Sequence, residues 1–278
     1  MALAAAQHHR SSPAVAAEAC GLLAELVSSS HPGGGGGGGA APRLAVVDAA
    51  ALTLESWLAH AGEERARSIL CSALARMAST SPSETVLAVH RCSMSVSPCL
   101  WVAAMHMARE CQEVQRLGCE ALTKLTEGEI GAELVASGAV EAVAEAMQHG
   151  ARDPGLQRAA CEALSGLILA DSKRASAKAM SAGVLELVVR ALRGHGRFPW
   201  VSHVALDVLA LIIVAAGEEG RASAEQAGSW EVATMALRRH PENRQVVWAA
   251  ESVLQHLGPA EMATGVNVQR YCRSQPKK

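Results

Sequence analysis

Cysteine and histidine side chains are concentrated between residues 90 and 111, and both residue types bind zinc. The stretch contains His90, Cys92, Cys99, His106 and Cys111. A structural zinc site needs four ligands that converge on one ion, and finger-type sites supply them as tight pairs. These spacings give no such pair, and the chain has no Cys-x-x-Cys sequence. We therefore expect no metal site, and a metal-dependent or Cys/His enzyme built on this stretch stays as an alternative.

The cysteines recur with a period, which indicates packing rather than chemistry. Four of the eight occupy one equivalent repeat position: Cys20, Cys71, Cys119 and Cys161. A cysteine at a recurring position acts as a small apolar residue between neighbouring helices. Disulfide frameworks belong to small secreted chains, so we expect reduced thiols and a cytoplasmic protein, with the nucleus as the alternative.

Short motifs for nucleophilic catalysis and for phosphate binding are absent from the sequence. It has no Gly-x-Ser-x-Gly segment, the strand-to-helix turn that exposes a catalytic serine. The seven-glycine run Gly33–Gly39 is followed by Ala40-Ala41-Pro42, where a phosphate loop needs Gly-Lys-Ser or Gly-Lys-Thr. We therefore expect no enzymatic activity and no cofactor, and we interpret the glycine run as a flexible linker.

The chain between residues 114 and 257 repeats itself. Segments that begin at Val114, Leu156, Val201 and Val246 share one apolar pattern, and their starts are 42, 45 and 45 residues apart. A fixed period in the forties is typical of helical units that stack, because one unit cannot bury its apolar face alone.

Glycine and proline punctuate each repeat at fixed places. Gly138, Gly183 and Gly228 each close a short Ala-rich segment, and glycine readily takes the left-handed conformation that ends a helix. Apolar residues at helical spacing follow each glycine, which predicts a second helix. A proline then precedes a longer third helix, where its missing N–H costs nothing; these prolines are Pro154, Pro199 and, somewhat earlier in its unit, Pro241.

The order of elements over residues 97 to 258 resembles the armadillo repeat family. Each unit has a short helix, a glycine turn, a second helix, a turn with proline and a long third helix. The residues that match the family's core leucine of the third helix are Leu122, Leu164, Leu209 and Leu254. The resemblance implies an all-α fold, a right-handed α-solenoid of armadillo-like three-helix repeats. The two-helix HEAT repeat has a similar period and is the nearest alternative architecture.

The same register divides the rest of the chain. We expect a flexible N-terminus at 1–12, a partial repeat helix at 13–30, a Gly-rich linker at 31–43, the solenoid at 44–258 and a C-terminal tail at 259–278. Residues 1–12 contain Arg10 and no acid, so a transit peptide is the alternative there. The apolar run 201–217 contains His203 and Asp207 and keeps the repeat register, so we expect a buried helix and no membrane span.

The side of each third helix that faces away from the core carries residues that could bind a partner. At about 100° per residue, two positions four residues apart lie opposite the core side in every unit. The resemblance implies that this side lines a concave groove that binds an extended peptide. The alternative is local ion pairing on a solvated face, worth about 0.3 kcal/mol per pair. The groove candidates are Arg116, Glu120, Arg158, Glu162, His203, Asp207, Trp248 and Ser252.

These residues limit the class of partner. The formal net charge is −2, so the sequence predicts no nucleic-acid binding. Nuclear-import adaptors of the armadillo family carry Trp and Asn four residues apart, whereas here Ser252 follows Trp248. The balanced charges also differ from the strongly basic groove of the catenin branch. We expect a non-enzymatic scaffold for a protein or extended peptide, and the alternative is a module that self-associates through its N-terminal end.

Overall fold

The computed structural model describes residues 12–15, 18–22, 52–53, 56, 69, 98–126 and 130–258. Regular structure in these residues is α-helical throughout, which confirms the predicted all-α class. The predictions for the glycine linker, for Cys71, His90 and Cys92 and for the C-terminal tail lie outside the described residues. Residues 13–15 and 18–22 are helical.

Ten helical elements follow one another in residues 98–126 and 130–258. Their bounds are α1 Pro98–Met107, α2 Gln112–Thr126, α3 Gly131–Ala136, α4 Ala139–His149, α5 Pro154–Ala170, α6 Ser172–Ser181, α7 Val184–His195, α8 Pro199–Ala227, α9 Ser229–Arg239 and α10 Arg244–Leu257. Gly217 interrupts α8 with non-helical angles (φ 61°, ψ −131°), so this element consists of two helices, 199–216 and 218–227.

The predicted glycine turns are present. Gly138, Gly183 and Gly228 adopt left-handed φ values of 96°, 67° and 88° and immediately precede α4, α7 and α9. A residue with a side chain is strained in this conformation, which explains the choice of glycine. Each predicted short first helix therefore ends, and each second helix begins, where the sequence indicated.

The third helices begin as proline and capping residues predict. Pro154 and Pro199 are the first residues of α5 and α8. The Asp153 carboxylate accepts a hydrogen bond of 2.8 Å from the Gly155 N–H, which satisfies a donor that the helix leaves unpaired. Before α10, Asn243 caps the helix instead, and its side chain accepts a 3.1 Å bond from Val246 N.

Equivalent helices pack side by side in chain order. The third helices α2, α5, α8 and α10 form one row, and the second helices α1, α4, α7 and α9 form another. The short helices α3 and α6 contact both rows. The four predicted core leucines are buried, with Leu254 the most exposed at 4%. Cys20, Cys119 and Cys161 are fully buried, as their recurrence indicated.

Side-chain bonds to backbone carbonyls also repeat along the rows. Within a unit, Gln157 Nε2 donates to the carbonyls of Met147 and Gly150, both at 3.0 Å. One unit earlier, Gln115 Nε2 donates to the carbonyls of Met105 and Ala108 at 2.8 and 2.9 Å. Between units, His195 Nε2 lies 2.9 Å from the Ala151 oxygen. One unit later, His240 Nε2 lies 2.7 Å from the Gly196 oxygen. These bonds satisfy turn carbonyls that helix ends leave without partners.

Candidate functional site

The eight predicted groove residues all lie on one side of the row of third helices. We call this side, on α2, α5, α8 and α10, the third-helix face. Arg158 and Trp248 are exposed, and the other six residues are partly buried, whereas most of the residues that flank them along each helix are buried. The structure therefore brings the predicted residues to a common solvent-facing surface.

In the first unit of the row, Arg116 is held by two carboxylates of its own helix. Its Nη1 lies 2.7 Å from Glu120 Oε1, and its Nη2 lies 2.7 Å from Glu113 Oε2. The Arg116 side chain is only 20% exposed, so this guanidinium is not displayed for a partner. The second oxygen of Glu120, Oε2, is buried and has no hydrogen-bond partner within the described part of the chain.

The next two units repeat the pairing, with an arginine in one and a histidine in the other. Arg158 Nε donates to Glu162 Oε1 at 2.7 Å. His203 Nε2 lies 3.1 Å from Asp207 Oδ2. All three pairs join residues four apart, the local pairing that the sequence left open as an alternative. Pairing of this kind neutralises the charge of the face without excluding a partner.

Burial changes the acidity of two carboxyl groups on this face. Desolvation raises the pKa of Glu120 above its ordinary value, and the attraction of Arg116 offsets only part of that rise. Desolvation likewise raises the pKa of Asp207, against the lowering influence of His203. Both groups therefore lie in a partly dehydrated surface, where contact with a partner costs less solvation than it would in open water.

Apolar side chains on the same face were missed by the sequence analysis. Leu169 is 71% exposed and Val214 is 59% exposed, and they occupy the same repeat position on α5 and α8. Trp200, at the start of α8, is 40% exposed, and the predicted Trp248 is 62% exposed. Leu169 and Val214 lie seven residues, or about two helical turns, beyond Glu162 and Asp207. Extending the predicted stripe by two turns places both residues on this side of their helices, but spacing alone does not give their exposure.

Burial keeps the thiols of Cys119 and Cys161 protonated and unreactive. Burial is the largest reason why the pKa of Cys161 is raised to about 12, and the pKa of Cys119 is raised in the same way. A thiol that stays protonated is a poor nucleophile and a poor metal ligand. Their positions match the predicted packing role.

No group of three or more His, Cys, Asp or Glu side chains is placed to hold a metal ion in the described ranges. His106, one of the residues considered above as a zinc ligand, is paired with a carboxylate: its Nδ1 lies 3.1 Å from Glu145 Oε2 on α4. An open cavity between α4 and α6 is lined by Glu141, Arg174, Lys178 and Ser181. Lys178 already pairs with Glu141 across this cavity, which leaves little unmet charge for a small ligand.

One helix in the described ranges, α8, is long and apolar enough to cross a membrane by length and composition. Buried helices of soluble proteins meet the same criterion, and 44% of its apolar window is buried here. Gly217 also breaks the helix within that length. The absence of a membrane span stays a prediction.

Comparison with protein-family models, curated proteins and solved structures found no match to this chain. The resemblance to armadillo repeats therefore depends on the residues named in the sequence analysis.

Proposed function

We propose that the chain is an armadillo-like right-handed solenoid that acts as a non-enzymatic scaffold and binds a partner segment along the third-helix face. The observation that carries this proposal is the row α2, α5, α8 and α10, in which neighbouring third helices present equivalent positions to solvent. Stacked repeats use such extended faces to bind long segments of other proteins.

The number of helices in each unit supports armadillo-like repeats over two-helix HEAT repeats. α3, α6 and the 218–227 part of α8 each supply a short helix ahead of a left-handed glycine. A HEAT unit has no element at this place, because it consists of two helices. The inter-unit bonds made by His195 and His240 support regular stacking of these units.

The composition of the face supports a protein or an extended peptide as the partner. Its charges form local pairs, so it has no excess basic charge for a nucleic acid. Trp248 can anchor a partner side chain, since exposed tryptophan is enriched among residues that dominate binding energy.

The remaining parts of the proposal follow from the same features. We place the protein in the cytoplasm, with the nucleus as the alternative, because buried unpaired cysteines such as Cys119 and Cys161 are usual in a reducing compartment. The proposed scaffold uses no cofactor and no metal ion, and its partner is neither a nucleic acid nor a lipid bilayer.

Affinity capture tests the proposal with variants at exposed positions. The face variant combines Arg158→Glu with Trp248→Ala, and the control is Arg190→Glu, an exposed residue of the second helix α7. Equal helical content and equal melting temperature should be established first. We expect proteins captured by the wild type and by the control to be lost from the face variant. Identical partner lists for all three proteins would move the function to another surface.

A further inference from the structure

The turns between the second and third helices carry exposed arginines along one edge of the molecule. We call this surface the basic edge, and it comprises residues 149–153, 193–198 and 238–244. These segments contain no lysine and two acids, Asp153 and Glu242, whereas the whole chain has a formal net charge of −2. The edge therefore has an excess of positive charge that the net charge of the chain conceals. Its arginines are Arg152, Arg193, Arg197, Arg238, Arg239 and Arg244.

The three turns of the basic edge are in direct contact with one another. Each turn is closed in the same way, by a backbone bond from residue 153, 198 or 243 to the carbonyl three residues earlier. His195 Nε2 lies 2.9 Å from the Ala151 oxygen, and His240 Nε2 lies 2.7 Å from the Gly196 oxygen. The edge is therefore continuous, and equivalent residues recur along it at about 8 to 10 Å, the separation of packed helices.

Most of these arginines have no partner inside the molecule. Arg193 pairs with Glu231 on α9 at 2.9 Å. The other five are exposed and make no hydrogen bond or ion pair within the described ranges. Arg197 stacks on its neighbour, with its Cζ 4.7 Å from the centre of the Phe198 ring. Stacking orients this guanidinium and leaves the N–H groups on its rim free to donate.

Helix stability does not explain the whole basic edge. Cations stabilise the C-terminal end of a helix, which accounts for Arg193, Arg238 and Arg239 in the last turns of α7 and α9. Arg244, however, is the first residue of α10, where the helix dipole disfavours a cation. Arg197 lies just before the start of α8, on the same unfavourable side. These two arginines add positive potential to the edge without stabilising the helices that follow them.

The centre of the basic edge is the start of α8. Arg239 reaches back to the preceding turn, where its Nη1 would lie 2.8 Å from a Cβ placed on Gly196. Arg197 is the next residue along, so two guanidinium groups flank one turn. Phe198 at the N-cap of α8 has no side-chain acceptor, whereas side chains cap α5 and α10. A carboxylate placed here would meet two arginines and the uncapped end of a helix, which favours an anion.

We infer that the basic edge binds an acidic, extended segment of a partner protein. The edge is separate from the third-helix face, so this inference goes beyond the proposed function. An extended chain rises about 3.3 Å per residue, so acids about three residues apart match the spacing of successive turns. Charge complementarity with unpaired arginines speeds association and selects against basic partners.

An acidic protein segment fits this edge better than a nucleic acid. Glu242 is exposed and unpaired within the described ranges, at the position equivalent to Arg152 and Arg197. Double-stranded DNA carries one charge per about 1.7 Å of its axis, so its phosphates would also meet this carboxylate. A protein segment can place a neutral residue beside Glu242 while its acids contact Arg197 and Arg239.

Selection from a displayed library of random 15-residue peptides on the immobilised full chain tests the inference. Peptides that bind the edge variant, Arg197→Glu with Arg239→Glu, are removed beforehand. The matched control is Lys173→Glu with Arg174→Glu, which makes the same change in net charge at exposed residues of α6, beyond the far end of α5. Equal melting temperatures should be established first. We expect the selected peptides to be rich in Asp and Glu, with acids about three residues apart.

Fluorescence anisotropy then measures the affinity of the best peptide. It should fall about tenfold or more in the edge variant and less than about threefold in the control. Glu242→Arg completes the series of arginines and should raise the affinity about threefold or more. The wild-type affinity should fall about tenfold between about 50 and about 500 mM salt. Trp248→Ala, on the third-helix face, should leave it within about twofold, because that face is a separate site.

Other outcomes separate this inference from the proposed function. Selected peptides without acids, or an equal loss of affinity in the edge variant and the control, would overturn the inference and leave the scaffold function in place. Loss of the acidic peptide in Trp248→Ala would move it to the third-helix face and also overturn the inference. Oligodeoxythymidine that binds more tightly than the best peptide, and is lost in the edge variant, would assign the edge to a nucleic acid instead. Phosphatidylserine vesicles that behave in this way would assign it to a membrane.

Discussion

At the scale of single residues, position on the helix decides whether an apolar side chain stabilises the fold or serves binding. Leu164 and Leu169 are five residues apart on α5, yet Leu164 is fully buried and Leu169 is 71% exposed. Replacing Leu164 with alanine should lower the free energy of unfolding by about 2 to 5 kcal/mol, because it leaves a cavity between packed helices. Leu169→Ala should change it by less than about 0.5 kcal/mol. Urea denaturation measures both, and equal effects would contradict the repeat register.

Asp207 gives a prediction about pH at the same scale. Burial raises its pKa in the folded protein, so folding favours the protonated acid. Its contribution to stability is complete below the pKa of an unfolded aspartate, about 3.9, and is lost as the pH rises through the folded pKa. In the Asp207→Asn variant, the side-chain amide at this position does not titrate. We therefore expect the stability of this variant relative to the wild type to increase as the pH rises from about 3.5 towards 6.

Urea unfolding midpoints of the wild type and of Asp207→Asn, measured across this pH range, give the difference in stability. The range ends below about 6.5, the ordinary pKa of histidine in model peptides, so that the aspartate is the group that titrates. A difference that shrinks with rising pH would mean that the attraction of His203 outweighs desolvation.

At the scale of elements, glycine conformation sets the boundaries of the helices. Gly183 adopts a φ of 67° between α6 and α7, whereas Gly194 lies within α7 with no atom near the place where a Cβ would be added. Gly183→Ala should cost about 1 to 2 kcal/mol through backbone strain. Gly194→Ala should stabilise the protein by about 0.5 to 1 kcal/mol, because alanine loses less backbone entropy in a helix. Thermal melts of the two variants should shift in opposite directions, and shifts in the same direction would refute the glycine-turn assignment.

The positions of many helix ends were predictable from the sequence, because they depend on local backbone chemistry. Gly138 and Pro154 act within one turn of the chain, so their types alone locate helix ends. The bonds from Gln157 and His195 to distant carbonyls were not predictable, since they depend on how turns of different helices approach each other. The break at Gly217 falls where the predicted helix 201–217 ends, ahead of the short segment that Gly228 closes.

The binding face was predicted in part, for a similar physical reason. Helical spacing fixes which side of α5 and α8 faces solvent, so Arg158 and His203 could be placed there from the sequence. Spacing alone does not give the degree of exposure, which depends on the neighbouring helices. Leu169 and Val214 therefore could have been either core or surface until the packing was known.

At the scale of the whole molecule, short-range contacts between consecutive units produce one extended face. Each third helix packs against the next, and the equivalent positions of α2, α5, α8 and α10 come to lie side by side. Paired charges and exposed apolar side chains on this face favour binding of a segment over catalysis. The proposed scaffold function therefore depends on contact between a partner and this face.

Photo-cross-linking tests that contact most directly. Benzoylphenylalanine replaces Trp248, which conserves an exposed aromatic ring on the face, and replaces Arg190 on α7 as the matched control. After irradiation in cell extract, we expect a defined set of protein adducts from position 248 that position 190 does not form. Prior addition of an excess of the wild-type chain should compete with these adducts. The same adducts from both positions, or none from position 248, would contradict the claim that the third-helix face binds the partner.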